Sequence, residues 1–283
     1  MIKLSKKKNI KTSVIIPCYR CSNTIERAVK SVVDQSYKAY EVILIEDFSN
    51  DENKTVNKLK ELKVFYRNQI KIILINNSCN RGPGFSRNIG WEEAKGTYVA
   101  FLDSDDSWHL DKLKIQLKYI AKNSYVDAVC NLDQFNLINK YYKIKEKYDW
   151  IPHKVKYRNM LFKNIVSTRS VIIKRRIKSR FKNDVWYSED YALWLEILAK
   201  GGVIHRLPFV LSFYYKNQYS NTGLTSHLFK FFKSELSIIQ LQPIGSWKEL
   251  IIKIFAIIFC IIKFLKRIFI YSIKNSNLNF KEN

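Results

Sequence analysis

In the first third of the chain, short apolar runs alternate with stretches in which apolar side chains recur every three or four positions. Short runs rich in β-branched residues are typical of buried strands, and the longer spacing is typical of helices. The predicted strands are Val14–Ile16, Glu41–Glu46, Lys71–Ile75 and Thr97–Leu102. Because these strands are almost wholly apolar and alternate with helices, the pattern predicts an α/β fold with a mostly parallel sheet and helices on both faces.

The helices between these strands are marked by their ends. The first begins after Ser22 or Asn23, either of which can cap it, and runs to about Gln35 with one apolar face. A second opens from the polar stretch 47–53, and a third covers Ser86–Lys95, where Gly96 closes it.

After residue 107 the pattern is weaker. It predicts a helix at about Leu110–Lys122, a strand at Asp127–Cys130 and then a basic, tyrosine-rich stretch from Tyr141 to Tyr157. An amphipathic helix opens at Ser188 and ends at Gly201-Gly202. We divide the chain into a basic lead-in (1–12), an α/β domain (13–225) and a C-terminal helical segment (226–283).

The run Asp103-Ser104-Asp105-Asp106 follows the fourth predicted strand and places three carboxylates within four residues. In a parallel sheet, ligands sit beyond the carboxyl ends of the strands. Clustered carboxylates repel one another unless a cation compensates them, and Mg²⁺ and Mn²⁺ bind carboxylate and phosphate oxygens. The run therefore predicts a divalent-metal site; the alternative is a solvated turn in which Asp106 caps the following helix.

Other strand ends carry polar groups as well. Asp47 can accept hydrogen bonds from a nucleobase or a ribose, or instead form an Asx-type turn with Ser49. The turn Arg81–Gly84 leads into a helix whose start suits anions, and Arg87 can pair with a phosphate.

Glu189 and Asp190 follow Ser188 at the start of the late helix. One of the two carboxylates is suited to act as a general base. The other interpretation is structural, because Ser188 is a good N-cap and acidic residues stabilise the first turn of a helix. The sequence leaves both open. Thr168 and Ser170, in the weakly patterned region, are predicted to face an acceptor.

Five segments resemble, in order, the signature segments of family 2 glycosyltransferases of the bacterial surface-polysaccharide type. They are Val14–Tyr19, Glu41–Asp51, Asn80–Gly90, Gly96–Trp108 and Ser188–Leu195. The resemblance spans residues 13 to about 215. It implies a GT-A fold, an inverting mechanism, Mg²⁺ or Mn²⁺, and a nucleotide-diphosphate sugar donor, with UDP-sugars favoured.

The resemblance also implies roles for individual residues on the donor side. Pro17 and Tyr19 would line the base pocket, with Tyr19 stacking on uracil, and Asp47 would bind the base imide. Arg87 would face the diphosphate, and Ser104 belongs to the same donor site.

For metal binding and catalysis, the resemblance implies that Asp103 and Asp105 hold the ion. Asp190 would be the catalytic base, and Glu189 would orient the acceptor or the base. Two positions depart from the family pattern. Glu46 replaces the first acid of a double Asp, and Gln218 stands where many members have a late His, for which His227 is a candidate substitute.

The charge of the chain bears on its partners. Its 283 residues include 49 Lys and Arg against 25 Asp and Glu, a net charge of +24. Such a surface attracts polyanions, namely nucleic acid, anionic lipid or phosphorylated carriers, although biased composition alone also produces it. The five cysteines form no disulfide framework, and the Cys18–Cys21 pair has no second pair to complete a zinc site. No secretory signal precedes Val14, so we expect a cytoplasmic enzyme.

The stretch Leu250–Tyr271 is strongly apolar but is interrupted by basic residues. On a helix, the basic residues Lys263, Lys266, Arg267 and Lys274 share one side, opposite Ile254, Ile257, Ile258, Ile261 and Leu265. This pattern predicts a helix lying in the plane of an anionic membrane surface, peripheral on the inner face of the cell membrane. The alternative is a helix that packs on the protein's own core or dimerises.

The sequence thus predicts an enzyme that transfers a monosaccharide to a hydroxyl of a glycan or lipid-linked acceptor, in surface polysaccharide or lipopolysaccharide synthesis. One alternative is a basic nucleic-acid-binding protein, for which the stretch from Tyr141 to Tyr157 is the nearest candidate module. We expect no nucleic-acid partner, because the strand-end acids would repel phosphate without a metal. A catalytically inactive GT-A scaffold is the other alternative.

Overall fold

A computed structural model describes residues 10–135, 151–183, 185–215 and 228–279, with side chains of the last helix described as far as Ile270. The strands are β1 (Thr12–Cys18), β2 (Glu41–Glu46), β3 (Lys71–Asn76), β4 (Tyr98–Phe101), β5 (Ser107–Trp108), β6 (Ala128–Phe135), β7 (His153–Lys154), β8 (Ile172–Lys174) and β9 (Ile204–Tyr214). The helices are α1 (Ile25–Val33), α2 (Lys54–Phe65), α3 (Gly82–Glu93), α4 (Lys112–Lys122), α5 (Tyr157–Phe162), α6 (Glu189–Ala199), α7 (Leu228–Gln240) and α8 (Trp247–Asn279). A single 3₁₀ turn among the described residues covers Thr168–Ser170.

The described strands form one mixed sheet in the order β3-β2-β1-β4-β8-β6-β9-β5, with β7 pairing to β9. The first four strands of this order are parallel, and Val14 of β1 lies between Val42 of β2 and Ala100 of β4. Beyond them β8 runs antiparallel to both β4 and β6, and β6 pairs in parallel with β9. The mostly parallel sheet predicted from the sequence is confirmed for the half that carries the strand-end acids.

Successive side chains of β1 point to opposite faces of the sheet, and each face carries its own core layer. Val14 and Ile16 point to one side, where α1, α2 and α4 pack. Ile15 points to the other, where α3, α5, α6, α7 and α8 pack. Successive strand side chains point to opposite faces, so a run with no polar position requires a helical layer on each face. This arrangement explains why the early strands are almost wholly apolar.

Helix α3 begins four residues earlier than predicted, at Gly82 rather than Ser86. Pro83 lies in its first turn, where proline is well tolerated because its missing N–H would have no partner there. The carboxylate of Asp47 accepts the backbone N–H of Gly82 at 2.8 Å and that of Arg81 at 3.2 Å. The cap therefore comes from a residue on another strand end, which local sequence does not reveal.

The predicted cap of α1 is wrong. The helix begins at Ile25 with Thr24 in the N-cap position, and neither Ser22 nor Asn23 caps it. The Thr24 hydroxyl donates back to the carbonyl of Cys21 instead of to the helix. Backbone bonds from Thr24 and Ile25 to that same carbonyl already fold the chain into the helix start.

Gly90 allows α3 to lie against the sheet. A Cβ at this position would sit 2.5 Å from the Cγ2 of Ile15 and 2.8 Å from the Cδ1 of Ile45. Both contacts are too short for real carbon atoms, so glycine is required for this close approach. The approach holds Arg87, one turn earlier on α3, over the ends of the central strands.

Helix α8 packs on the protein along one side. Ala256 and Cys260 are fully buried in the second core layer. Lys263 and Arg267 both pair with the buried carboxylate of Glu235 on α7. The alternative of packing on the protein's own core is therefore correct for this side. The predicted basic side faces the protein at Lys263 and Arg267, whereas Lys266 is exposed, and Ile257, which was predicted on the opposite side, packs on the core. In the described residues, we find no helix that is long and apolar enough to cross a membrane.

Candidate active site

The acids at the strand ends lie at one edge of the sheet. Because β1 pairs in parallel with both β2 and β4, the residues that follow these strands emerge side by side. They are Tyr19, Asp47 and Asp103. The chain passes from β1 to β2 and β3 on one side and then returns to β4 on the other side of β1, and such a reversal of strand order opens a crevice that binds ligands in α/β sheets.

Asp47 is buried at the back of this edge, with 3% of its surface exposed. Its carboxylate accepts hydrogen bonds from the Asn77 amide at 2.7 Å as well as from the two backbone N–H groups at the start of α3. The predicted Asx-type turn with Ser49 does not form. Glu46 caps that turn instead, accepting the N–H groups of Phe48 and Ser49.

Tyr19 offers an open aromatic surface next to this acid. Its side chain is 45% exposed, and the guanidinium of Arg20 lies 5.3 Å from its ring centre. Pro17, two residues earlier, is partly buried at the end of β1. The crevice therefore has an exposed ring and a buried carboxylate, which are groups suited to bind a flat heterocycle by stacking and hydrogen bonding.

The four residues from Asp103 to Asp106 differ in their exposure. Asp103, Ser104 and Asp105 are partly exposed, whereas Asp106 is buried and forms an ion pair with Arg169, its Oδ2 2.9 Å from Nε. Burial raises the pKa of Asp106 and Arg169 opposes that rise. The proposed capping role of Asp106 is wrong, since α4 begins only at Lys112.

The loop after β1 contacts the loop after β4. Arg27 of α1 donates to the backbone carbonyl of Asp105. The thiols of Cys18 and Cys21 are buried beneath this contact, and the pKa of Cys21 is lowered first by its hydrogen bond with Cys18 and further by Ser104. The loop with the two partly exposed acids is thus held from below by the first strand and helix.

Arg87 joins the β4 loop to the start of α6. Its Nη2 lies 2.6 Å from Oδ1 of Asp103, and its Nη1 lies 2.7 Å from Oε1 of Glu189. The guanidinium is almost fully buried. Burial alone lowers the pKa of Arg87, but the two carboxylates outweigh it and the pKa is raised. The structure places the guanidinium between two acids; its predicted contact with a diphosphate stays a prediction.

Glu189 and Asp190 have different surroundings. Burial raises the pKa of Glu189 to about 7, against the lowering effect of Arg87, while the neighbouring Asp190 raises it further. Burial also raises the pKa of Asp190, which Arg87 lowers in turn. Asp190 accepts a hydrogen bond from the Thr168 hydroxyl at 3.0 Å and one from the N–H of Tyr191 at 2.6 Å. Asp190 is partly exposed, so a reacting group can reach it.

Ser188 holds the N-cap position of α6 but does not cap it. Its φ of 58° is left-handed, and its hydroxyl makes no hydrogen bond to the helix or to any other described residue. A left-handed conformation is uncommon for residues other than glycine and is often found where function demands it. The interpretation of Ser188 as a side-chain cap of this helix is therefore wrong, although acidic residues do occupy the first turn.

The 3₁₀ turn Thr168–Ser170 is the part of the site that sequence reasoning described least well. Thr168 contacts the acid of α6, and Arg169 contacts the acid after β4. Arg169 carried no motif signal. Ser170, predicted to face an acceptor, is fully buried, and its hydroxyl donates to the carbonyl of Ser167.

Asp103 and Asp105 could supply only part of the coordination of a divalent cation. Within the described residues, no group of three or more acidic, histidine or cysteine side chains could hold a metal ion. Mg²⁺ commonly takes one or two carboxylates and completes its coordination with phosphate oxygens and waters. Two partly exposed carboxylates at the crevice fit an ion of that kind. Gln218 and His227, the candidates for a late ligand, lie outside the described residues.

The chain matches glycosyl transferase family 2 over residues 13–178. It is 28% identical over 232 residues to the UDP-Glc:alpha-D-GlcNAc-diphosphoundecaprenol beta-1,3-glucosyltransferase WfgD of Escherichia coli, covering 80% of this chain and 84% of that protein. An uncharacterized glycosyltransferase of Rickettsia conorii is 30% identical over 206 residues, which are 68% of this chain, and the chain spans 31% of that protein's length.

Two solved structures share the fold. One is S. aureus TarS 1-349 in complex with UDP-GlcNAc, with a TM-score of 0.64, 20% identity and coverage of 93% of this chain and 73% of that one. The other is the mannosyltransferase PcManGT from Pyrobaculum calidifontis in complex with GDP-Man and Mn²⁺, with a TM-score of 0.65, 17% identity and coverage of 89% and 73%. The GT-A fold predicted from the sequence is confirmed.

Proposed function

Since the chain belongs to glycosyl transferase family 2, we propose that it transfers one monosaccharide from a nucleotide-diphosphate sugar to a hydroxyl group with inversion. The observation that carries the proposal is the double ion pair of Arg87. One side chain contacts both Asp103 of the β4 loop and Glu189 of the α6 start. A donor held at the β4 loop and an acceptor held at α6 would therefore meet within one crevice.

The donor is a UDP-sugar in this proposal. Tyr19 stacks on the base, with Pro17 beside it. Asp47 accepts the N–H of the base imide at the acceptor position that its three present partners leave over. The E. coli relative carries UDP-Glc in its name, and the S. aureus neighbour binds UDP-GlcNAc. Ser104 lies between the two acids that would hold the ion and contacts the same donor.

Asp103 and Asp105 are the residues that would hold Mn²⁺ or Mg²⁺ against the diphosphate. A bound divalent cation there would neutralise negative charge that develops on the leaving diphosphate. The neighbour from P. calidifontis contains Mn²⁺. Arg87 is already compensated by two acids, so in this proposal its main part is to fix Asp103 towards the donor, and its charge adds to the field at the diphosphate.

Asp190 is the catalytic base. It accepts the proton of the acceptor hydroxyl while the acceptor oxygen bonds to the anomeric carbon and the bond from that carbon to the diphosphate breaks. One displacement inverts the configuration at that carbon. The hydrogen bonds from Thr168 and from the N–H of Tyr191 orient the carboxylate, and Glu189 is positioned to orient the base.

The acceptor is a hydroxyl of a glycan, and we favour a lipid-linked one in surface polysaccharide synthesis. The E. coli relative is named for transfer to a sugar on diphosphoundecaprenol. Family membership does not favour the alternatives of a nucleic-acid-binding protein or an inactive scaffold. The acids gathered at the sheet edge also argue against nucleic-acid binding in this crevice, since they would repel its phosphates.

Donor binding tests this function directly. We expect one or more UDP-sugars to bind the full chain in calorimetric titration, and to bind at least about tenfold more weakly, a loss of about 1.4 kcal/mol, when EDTA replaces Mn²⁺. Asp105→Asn should remove most of the metal-dependent gain, because it removes one of the two carboxylates that face the ion.

The matched control for this titration is Asp34→Asn, which changes an exposed carboxylate paired with Lys30 on α1. It should bind donor as the parent does. If no nucleotide sugar binds with Mn²⁺, the proposed function is wrong. If donors bind equally well in EDTA, the metal is wrong and the donor site stands.

The pH profile tests the assignment of the base. Asp190 must be ionised, so kcat/KM should fall as the pH drops through its pKa. Thr168→Val removes a hydrogen bond to the ionised form and should move this acid limb to higher pH. Glu189→Gln removes a neighbouring negative charge and one of the two carboxylates that pair with Arg87. Both changes should lower the pKa of Asp190 and move the acid limb to lower pH.

These opposite shifts would be measured with saturating donor, with Thr168→Ser as the control that keeps the hydroxyl. A merely structural role for Thr168 would lower the rate at every pH without moving the limb. If both substitutions leave the limb in place, the titrating base is not Asp190.

A further inference from the structure

The side of α8 that faces away from the protein is almost wholly apolar. Its exposed apolar residues, with exposed fractions between 41% and 67%, are Ile251, Ile254, Phe255, Ile258, Phe259, Ile261, Ile262, Leu265, Ile268 and Phe269. The residues at 251, 255, 258, 262, 265 and 269 are spaced alternately four and three apart, so they follow one line along the helix. We call this exposed surface the outward stripe. Exposed apolar patches of this extent mark a surface that binds something.

The outward stripe begins with an exposed aromatic residue. Trp247 opens the helix four residues before Ile251 and is 81% exposed. The connection that precedes it exposes Leu241 and Ile244 as well. Tryptophan is enriched where a protein meets the boundary between water and the acyl chains of a bilayer.

Three basic residues of α8 that would oppose insertion into lipid are turned inward. Lys263 and Arg267 share the carboxylate of Glu235, and Lys253 donates to the carbonyl of Gln242 at 2.8 Å. The positive charges on this side of the helix are therefore used by the protein itself and do not have to enter an apolar environment.

Most of the charges left on the exposed surface of the two C-terminal helices are positive. Between residues 228 and 270 the acids are Glu235 and Glu249. Glu235 is buried, and Glu249, the one partly exposed acid in this range, accepts the N–H of Gly245. The exposed basic residues are Lys230, Lys233, Lys248 and Lys266. On the helix, Lys248 and Lys266 fall at the edge of the outward stripe, where they can reach a negatively charged surface while the stripe is covered.

The dimensions of the helix fit a position in the plane of a membrane. Its 33 residues extend about 50 Å. None of the described helices has a stretch that is long and apolar enough to span a bilayer. A long helix with one wide apolar side and basic residues along the edge is the pattern of a helix that lies in the lipid interface.

We propose that the outward stripe of α8 inserts into the interface of an anionic lipid membrane, with Lys248 and Lys266 among the headgroups. A second copy of the chain is the competing occupant. A helix pair needs a narrow seam of two positions in every seven. Here Ile254, Ile261 and Ile268 widen the exposed surface on one side of the line and Phe259 widens it on the other, which fits a lipid surface better than a seam.

Flotation of the full chain with lipid vesicles tests this proposal. We expect the protein to float with vesicles of phosphatidylcholine and phosphatidylglycerol, and to float less with phosphatidylcholine alone. The double substitution Phe255→Asp with Ile262→Asp places two charges in the middle of the outward stripe and should lower the bound fraction by about tenfold or more. Lys248→Glu with Lys266→Glu should remove the preference for the anionic vesicles.

The matched control is Val64→Asp with Phe65→Asp, which charges two exposed apolar residues on α2, far along the chain from the stripe. It should float as the parent does. Donor binding and melting temperature should be the same for all of these variants, since every changed side chain is exposed and lies outside the crevice. This readout separates loss of membrane binding from loss of the fold or of the proposed function.

Two results would overturn the proposal. One is equal flotation of the parent and the Phe255→Asp with Ile262→Asp variant. The other is a parent that is dimeric in lipid-free solution by light scattering, does not float, and becomes monomeric in that variant. In that case the outward stripe is an interface between two copies of the chain.

Discussion

Replacing Asp190 by asparagine is expected to lower kcat for sugar transfer by about 10³-fold while the affinity for the donor stays within about threefold of the parent. A positioned general base commonly contributes about 10²–10⁴-fold to a rate. Asparagine keeps the shape of the side chain, with an oxygen that can accept the N–H of Tyr191 and an NH₂ group that can donate to the Thr168 hydroxyl, but it cannot take up a proton. It also removes a negative charge beside the buried Glu189, and that charge raises the pKa of Glu189. The free energy of unfolding should therefore not decrease.

The measurement pairs single-turnover transfer with calorimetric binding of the same UDP-sugar. Asp34→Asn again serves as the matched control, because it removes an exposed carboxylate outside the crevice. Retention of transfer to within about tenfold would assign the base to another group, and Glu189, with a pKa of about 7, would be the next candidate. Loss of donor binding together with transfer would instead point to a structural role for Asp190.

Replacing Arg87 by methionine is expected to destabilise the fold by about 3–5 kcal/mol at pH 8. Breaking a buried ion pair by removing one partner leaves an uncompensated charge, and here one guanidinium serves both Asp103 and Glu189. The free energy of unfolding would be measured by denaturant titration. Arg67→Met, which changes an exposed arginine after α2, is the control and should cost little.

The pH dependence of the Arg87→Met defect has a definite sign. The raised pKa of Glu189, about 7 against 4.5 in the unfolded chain, means that the folded state binds this proton more tightly. Stability from the protonated form is therefore lost as the pH rises from about 4.5 to about 7. Without Arg87, which lowers this pKa, the loss should continue above pH 7. The defect should shrink at pH 5, and a defect that is constant with pH would contradict the role given to the ion pairs.

Much of the fold could be predicted from the sequence because its signals are local. The strand Glu41–Glu46 has the predicted bounds, because four consecutive apolar residues lie between two glutamates with polar stretches beyond them. The start of α3 could not be predicted in the same way. Gly82 begins the helix because Asp47, 35 residues earlier, supplies the cap, and no pattern within the helix records that partner.

The site shows the same division. The motif residues Asp103 and Glu189 stood out in the sequence because carboxylates cluster at a strand end and at a helix start. Their connection through Arg87 did not, since the three residues are separated by 16 and 102 positions. Likewise, the helical pattern placed Lys263 and Arg267 on one side of α8, but their buried partner Glu235 lies on α7, and nothing within the helix predicts that this side faces the protein.

The double ion pair of Arg87 also limits how such enzymes can be recombined. Its members come from three separate segments of the chain, the middle of α3, the β4 loop and the α6 start. A chimera that takes only one of these segments from a relative with a different side chain at that position would leave charges without partners in the interior. Exchange of donor or acceptor specificity between family members should therefore succeed when the residues at all three positions are transferred together.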